Sequence, residues 1–134
     1  MAYYIKTIWG PHGNEYAGHG FIEFPINCEN TSKKFKECDG FLIYETGREE
    51  DGCNGHMTVF ALGEVSRNQS DLPKNNKDWG WFVRTNILKI VSSEDGIGIK
   101  QLRKLGINQF QIPGGLIPIT KEQFEAIATE LNSK

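Results

Sequence analysis

Three short apolar runs constrain the fold of this chain more than any other feature of its sequence. They cover residues 41–44, 57–65 and 79–91, and the third run is rich in tryptophan. Each run contains aromatic and β-branched residues and is bounded by glycine, asparagine or charged residues, a pattern typical of β-strands. With 15 glycines and an apolar share of 38%, the chain is predicted to form a loop-rich fold around a sheet and not a helical bundle.

The C-terminal helix has the strongest local pattern. Thr120 and Gln123 fit a capping box, and apolar residues follow at helical spacing from Phe124 to Leu131. Gly63, within the second run, is predicted to mark a β-bulge or a close approach by another group. The other predicted elements rest on weaker patterns: a strand over 3–9, a brief strand or a helix start over 21–24, a helix from Asn30 or Thr31 to Lys36, a helix over 99–105 and an edge strand over 112–119.

Length and composition indicate one small domain. At 134 residues the chain is long enough to bury a core without disulfides or metals, so residues 1–134 are predicted to form a single, monomeric domain. No run approaches the ~18 apolar residues that span a bilayer, and the N-terminus carries no secretion signal. Cys28, Cys38 and Cys53 cannot all pair and match no zinc framework. We therefore expect a cytoplasmic protein with no membrane contact, metal or other cofactor.

The charge distribution limits how the chain could bind nucleic acid. A net charge of −2 argues against nonspecific wrapping, because Lys and Arg supply most of that affinity. Basic residues cluster at 33–36 and 100–104, where they form either a binding face or an ordinary solvated helix face. The acidic residues at 45–51 would repel phosphate, so nucleic acid should approach from another side.

Aromatic residues at strand ends could form the flat wall that a nucleic-acid base needs when it leaves its stack. Trp9, Trp79, Trp81 and Tyr44 lie at strand ends or beside predicted loops. Stacking on one such ring contributes about 1–3 kcal/mol per base. The alternative is that these rings fill the core.

Three polar residues on predicted strands are candidates for contacts to a base edge or a phosphate. Lys6 carries a charge between apolar residues, which is costly unless the charge has a task. Arg84 offers a planar group that suits a phosphate or a base edge, and Thr7 could donate a hydrogen bond. The alternative for each is an ordinary outward-facing strand side chain.

The histidines and cysteines form no recognisable catalytic or metal site. Cys53 and His56 make a Cys-x-x-His pair, and His12 and His19 share one loop, but a structural zinc needs four ligands at tighter spacing. No third group orients a Cys–His pair for nucleophilic catalysis, and no phosphate-binding or dinucleotide-binding motif occurs. The sequence therefore predicts a binding protein and not an enzyme.

A succession of segments carries a resemblance to a known family. The segments are 4–7 (YIKT), 39–44 (DGFLIY), 60–66 (FALGEVS), 81–85 (WFVRT), 99–102 (IKQL) and 117–124 (IPITKEQF). In this order they resemble the EVE domain family of the PUA-like superfamily, whose last helix starts with a similar Ile-Thr-x-Glu-Gln-Phe run. The resemblance implies an α+β fold, a PUA-like small mixed β-barrel of about five or six strands flanked by two or three short helices and a C-terminal helix.

The resemblance also implies a function. EVE-like domains read a modified base in DNA or RNA, in bacteria often beside restriction or defence proteins that could be partners. We therefore expect a non-catalytic nucleic-acid-binding module whose pocket lies between the first strand and the strands of Tyr44 and Trp81. The predicted base-binding residues are Lys6, Thr7, Trp9, Tyr44, Trp79, Trp81 and Arg84.

The chain departs from the family after its first strand. Ile8-Trp9-Gly10-Pro11 replaces the family's acidic-Pro step, and a Gly- and His-containing loop replaces an Arg- and Asn-rich segment that helps to line the family's pocket. Two other functions stay open. One is a small hydrolase acting on modified nucleosides, as in the related ASCH domains, although their Gly-x-Lys-x-x-Glu-x-Arg pattern is absent; the other is a protein-interaction module with an aromatic patch.

Overall fold

The structure, a computed structural model, describes residues 1–9, 20–24, 33–47, 55–67, 81–110 and 115–134. Its strands are β1 (Tyr3–Trp9), β2 (Phe21–Phe24), β3 (Gly40–Thr46), β4 (Thr58–Val65), β5 (Trp81–Ile90), β6 (Ile97–Gly98) and β7 (Leu116–Ile119). A 3-10 helix, Ser93–Asp95, precedes β6, and the α-helices α1 (Ile99–Lys104) and α2 (Lys121–Asn132) follow it. None of the helices in these ranges is long and apolar enough to cross a membrane.

The strands form one mixed sheet. Its order is β2-β5-β4-β3-β1-β7, with β6 paired to β4 beside this path. β1 runs parallel to β3, whereas the other described pairs are antiparallel. The predicted α+β fold is confirmed: the sheet curls into a half-barrel that carries a short helix and a C-terminal helix.

The sheet buries side chains on both faces, because successive residues of a strand point to opposite sides. On one face Leu42 packs in a cluster with Leu102 of α1 and with residues of α2. On the other face Ile43 packs with Phe24 of β2 and Leu116 of β7, which lie at opposite ends of the sheet order. The sheet therefore curls around this second cluster. We name the two sides the helix face and the inner face.

The first two apolar runs correspond to the central strands β3 and β4. Every residue of β3 is buried, and so is every residue of β4 except Glu64, which explains why these strands read as continuous apolar runs. Gly63 coincides with a register shift against β5, and a Cβ at Gly63 would lie 2.5 Å from the carbonyl oxygen of Asn86. The predicted bulge and close approach at Gly63 are both confirmed.

The other predicted elements are present with shifted ends. Residues 21–24 form a strand and not the start of a helix. The helix predicted to reach Lys36 ends at Lys34. The backbone N–H of Lys36 donates a hydrogen bond to the Asp39 carboxylate. The capping box of α2 is confirmed, and β7 lies at the sheet edge as predicted. Residues 30–32, 79–80 and 112–114 of the predicted elements lie outside the described ranges.

Candidate functional site

Lys6 is a buried charge on the inner face. It lies in β1, is only 6% exposed, and its Cα partner on β3 is Ile43, a member of the inner-face cluster. Its Nζ lies 4.8 Å from the centre of the Phe24 ring. A buried ammonium costs free energy unless nearby groups compensate it, and the negative face of an aromatic ring is one such group. Lys6 is thus not an ordinary solvent-exposed strand lysine.

The turn before β7 comes very close to Lys6. Gly115 has a φ of 66°, and the Thr7 hydroxyl donates a hydrogen bond to its carbonyl oxygen at 3.3 Å. A Cβ at Gly115 would lie 2.5 Å from Thr7 Oγ1 and 3.3 Å from Lys6 Nζ. Glycine tolerates both this backbone angle and this approach, so Gly115 sets how near the turn lies to the Lys6 ammonium.

β5 brings one further predicted strand position, that of Trp81, to the same region. Trp81 is the Cα partner of Phe24, whose ring contacts Lys6. Arg84 lies farther along the same strand pair and is half-buried. Successive strand residues point to opposite sides, so Thr7, the Cα partner of Tyr44, and Arg84, which follows Val83 of the inner-face cluster, are turned away from this face. We name Lys6, Phe24 and the strand position of Trp81 the inner-face site.

The predicted stacking role of the tryptophans stays a prediction. Trp9 ends β1, where its Cα partner is Thr46 of β3. For Trp9 and Trp81 the structure gives the strand position alone, and Trp79 lies outside the described ranges.

Tyr44 does not join the inner-face site, because it lies on the helix face. It is 2% exposed, and its ring stacks on Phe110 with ring centres 4.9 Å apart and an interplanar angle of 28°. Burial raises the pKa of the Tyr44 phenol above its ordinary value of 10.0, and the Arg103 guanidinium partly offsets that rise. The sheet therefore lies between Tyr44 and Lys6.

A cleft of about 560 Å³ opens on the helix face beside Tyr44. The sequence singled out Arg103 only as part of a basic cluster, and it gave no sign of Phe110, which lies in a polar stretch without periodicity. We name this the α1 cleft. Its lining residues are Tyr44, Thr46, Gly47, Met57, Ile99, Arg103 and Phe110.

A buried carboxylate anchors the β3–β4 hairpin near this cleft. Glu45 is fully buried, and its Oε1 accepts hydrogen bonds from the backbone N–H of His56 (2.8 Å) and from His56 Nδ1 (2.9 Å). The Ser93 hydroxyl also lies 3.0 Å from His56 Nδ1. Because both neighbours meet the same ring nitrogen, the three side chains do not have the arrangement of a nucleophile–base–acid triad. They tie the hairpin to the 3-10 helix.

Comparison with known proteins identifies the fold. No protein-family model matches the sequence, and no curated protein is significantly similar to it. The YTH domain of Mmi1 in a complex with RNA aligns with a TM-score of 0.60 at 11% identity, covering 98% of this chain and 81% of that one. A hypothetical protein from Leishmania major aligns with a TM-score of 0.59 at 16% identity, covering 99% and 96%.

A protein from Pseudomonas syringae aligns as well, with a TM-score of 0.58 at 12% identity, covering 97% of this chain and 99% of that one. The Leishmania and Pseudomonas proteins are of the EVE family, and EVE and YTH domains are both PUA-like. At these identities the similarity shows the fold. The resemblance that the sequence indicated is thereby confirmed, and this chain has the PUA-like fold that EVE and YTH domains share.

Proposed function

We propose that this chain is a non-catalytic nucleic-acid-binding domain whose inner-face site reads a modified base. The observation that carries the proposal is the Lys6 ammonium, buried 4.8 Å from the centre of the Phe24 ring in a PUA-like half-barrel. The RNA complex of the Mmi1 YTH domain supports it, because that protein has the same fold.

The inner-face site combines the two kinds of contact that a base needs outside its stack. The tryptophan at strand position 81, the Cα partner of Phe24, is the stacking candidate of this site. Stacking on one aromatic ring contributes about 1–3 kcal/mol per base. Lys6 carries three N–H donors. Because its ammonium is buried, it suits an acceptor on the base edge better than a solvated phosphate.

A modified base differs from its parent by little more than one small group, which limits the expected preference. Burying one methyl group contributes roughly 0.8 kcal/mol, which corresponds to about a fourfold difference in affinity. A site that reads the modification should reach at least this ratio. DNA and RNA differ by the 2′-hydroxyl, so both have to be tested.

Tryptophan fluorescence titration tests the proposal. The ligands are short single- and double-stranded DNA and RNA oligonucleotides that carry plain cytosine and adenine, 5-methylcytosine, 5-hydroxymethylcytosine or N6-methyladenine, at two salt concentrations. We expect quenching with a preference of about fourfold or more for one modified base. Lys6→Met should weaken that binding about tenfold, because it removes a charge-assisted hydrogen bond.

Lys121→Met is the matched control, because Lys121 lies on α2 with a side chain 63% exposed. It removes the same charge without touching the inner-face site and should leave the binding unchanged. Quenching that is equal for all bases and disappears with salt would indicate backbone contact without base reading. Absence of quenching with every oligonucleotide would refute the proposal.

A protein-interaction module is the second candidate, and the outer surface of β5 favours it. Leu88 is 59% exposed and Ile90 is 41% exposed, and alternate residues of a strand share one side. Two neighbouring apolar side chains in water suit a partner surface. If size-exclusion chromatography shows a larger species that Leu88→Lys returns to a monomer, this surface binds protein; a monomer at all concentrations excludes self-association.

A further inference from the structure

The α1 cleft combines an apolar floor with a cationic rim, and the inner-face site does not use it. The stacked rings of Tyr44 and Phe110 are buried at its floor, and Ile99 and the Met57 thioether add apolar surface. Arg103 supplies a positive charge close to the Tyr44 phenol. No carboxylate is found among the described residues that line the cleft. Such a surface suits a flat, apolar ligand that carries a negative charge.

The positive charge of α1 extends beyond Arg103 to two neighbouring lysines. Ile99 and Arg103 both line the cleft. Lys100 directly follows Ile99, and Lys104 directly follows Arg103. Each lysine is therefore rotated by about 100° around the helix axis from the residue before it, and both lysines are exposed. Arg103 in the lining, with Lys100 and Lys104 next along α1, gives the surroundings of the cleft a positive charge. This charge suits a phosphate better than a carboxylate, because a phosphate monoester carries more charge and more acceptor oxygens.

A buried hydroxyl in the wall of the cleft also points to a ligand. Thr46 is 4% exposed, and its Oγ1 has no hydrogen-bond partner in the described part of the chain. Buried hydroxyls are normally satisfied, because an unmade hydrogen bond there costs free energy. The residue lines the cleft, so a polar atom of a ligand would give this hydroxyl the partner that it lacks.

The opposite wall holds an exposed thioether by means of a strained backbone. Met57 has a φ of 59°, a conformation that residues other than glycine seldom adopt, and it is 40% exposed. A Cβ at Gly47 would lie 2.7 Å from Met57 Cγ, so Gly47 makes room for this side chain. Strained residues cluster at ligand sites, and a flexible thioether adapts its shape to a flat partner.

We propose that the α1 cleft binds one nucleotide, either free in solution or as a unit of a single strand. The base lies against the Met57 thioether and the edge of the Phe110 ring, the phosphate contacts Arg103, and the Thr46 hydroxyl bonds to a polar atom of the base. The sheet separates this site from Lys6. It therefore does not depend on base reading at the inner face, and either site can fail its test without the other.

The two methionines of the chain allow a direct test. Labelling the methionine methyl groups with carbon-13 gives one NMR signal from Met57 in the cleft and one from Met1, which is 83% exposed and serves as an internal control. The probes are AMP, adenosine, benzoate and a short oligoadenylate single strand. We expect the ring current of a bound base to shift the Met57 signal and to leave the Met1 signal unchanged.

The probes that shift the Met57 signal distinguish a free nucleotide from a nucleotide within a single strand. A Met57 shift with AMP indicates a free-nucleotide site, and a shift with the oligoadenylate alone indicates a strand site; both outcomes support the proposal. Arg103→Gln should weaken the binding about tenfold, the loss expected for one charge-assisted phosphate contact. Lys121→Gln, which removes one charge outside the lining of the cleft, should not change it.

Three outcomes would overturn the proposal. One is an unmoved Met57 signal with both AMP and the oligoadenylate. The second is a response to adenosine as strong as the response to AMP and indifferent to Arg103→Gln, which would make the cleft a general apolar surface. The third is benzoate binding as tightly as AMP, which would assign the cleft to a small carboxylic acid. The preference for modified bases in the fluorescence titration tests the inner-face site alone, so the two proposals can fail independently.

Discussion

The end of β3 places two polar side chains in the core, and each leaves one oxygen unsatisfied. Glu45 is bonded to His56 through Oε1, but neither Glu45 Oε2 nor Thr46 Oγ1 has a hydrogen-bond partner within the described ranges. Each unsatisfied buried polar atom costs about 1–3 kcal/mol. Because Thr46 also lines the α1 cleft, we infer that this position serves binding and not stability.

Thr46→Val tests this inference by two opposed effects. Replacing an unpartnered buried hydroxyl by a methyl group of similar shape should raise the free energy of unfolding by about 1 kcal/mol. The same change should weaken nucleotide binding in the α1 cleft. Urea denaturation measures the first effect and the Met57 methyl titration measures the second.

Thr58→Val is the matched control, because it is the same substitution on the neighbouring strand. Thr58 is also buried, but its hydroxyl donates to the Ser93 carbonyl oxygen. Thr58→Val removes this hydrogen bond and should therefore lower the free energy of unfolding by about 1–2 kcal/mol. If both variants lose stability alike, Thr46 has a hydrogen-bond partner and the inference is wrong.

Tyr44 makes stability depend on pH in the alkaline range. Burial raises the pKa of its phenol above 10.0, more than Arg103 lowers it, so the folded state holds this proton more tightly than the unfolded state does. The contribution is complete below the unfolded pKa and is lost as pH rises through the folded pKa. Burial and Asp39 raise the pKa of Tyr4 in the same direction.

We therefore expect Tyr44→Phe to lose less stability between about pH 9 and about pH 11 than the wild-type chain does. The remaining loss should come from Tyr4 and should decrease further in the double variant with Tyr4→Phe. Urea denaturation at the two pH values measures the difference. An identical loss in the wild-type chain and in Tyr44→Phe would show that the folded state does not hold the Tyr44 proton more tightly.

At the scale of elements, the capping box of α2 does more than begin a helix. Thr120 Oγ1 accepts a hydrogen bond from the Gln123 N–H at 3.1 Å, and Gln123 Oε1 accepts one from the Thr120 N–H at 2.9 Å. Gln123 Nε2 also donates to the Leu105 carbonyl oxygen at 2.9 Å, just after α1. The start of α2 is therefore attached to the end of α1, which carries the cationic rim of the cleft.

Thr120→Ala should lower the free energy of unfolding by about 1 kcal/mol, because it removes the cap of α2. Gln123→Ala should lower it further, since it also leaves the Leu105 carbonyl without this donor. Thermal unfolding measures both changes. Thr129→Ala, the same substitution at an exposed position within α2, should be neutral or slightly stabilising because alanine favours helix; equal losses at Thr120 and Thr129 would argue against the cap.

Elements with local signals were predictable from the sequence, and their pairing was not. The capping box at Thr120 and the glycine bulge at Gly63 depend on residues close in the chain, and both predictions are confirmed. The parallel pairing of β1 with β3 joins Thr7 to Tyr44, which are far apart in sequence. No local pattern encodes that register, and a shift by one residue would reverse every side chain of a strand.

This non-local register also explains why the predicted site residues do not all lie together in the structure. Lys6 lies near Phe24 on the inner face, whereas Tyr44 faces the helices, where it stacks on Phe110. Phe110 carries no periodic signal because it lies in an irregular segment. The α1 cleft could not be predicted, since its lining combines residues from a hairpin, a helix and that segment.

At the scale of the whole molecule, the sheet separates two cations to which we assign different contacts with nucleic acid. Lys6 is buried on the inner face, whereas Arg103 is exposed on the helix face. A strand that contacts both faces would meet Arg103 through a phosphate and Lys6 through a base edge. Phosphate contacts release counterions and make affinity depend on salt, whereas contacts to a base edge do so far less.

Salt titrations of the two variants should therefore differ. For single strands the slope of log affinity against log salt changes by about 0.7 for each phosphate contact, so Arg103→Gln should reduce its magnitude by about that amount. Lys6→Met should weaken binding with little change of slope and should remove the preference for the modified base. Because the two residues lie on opposite faces, the losses should add in the double variant to within about 0.5 kcal/mol. Equal slopes for wild type and Arg103→Gln would show that no phosphate contacts Arg103 in the α1 cleft. A reduced slope for Lys6→Met would show that Lys6 contacts a phosphate and not a base edge.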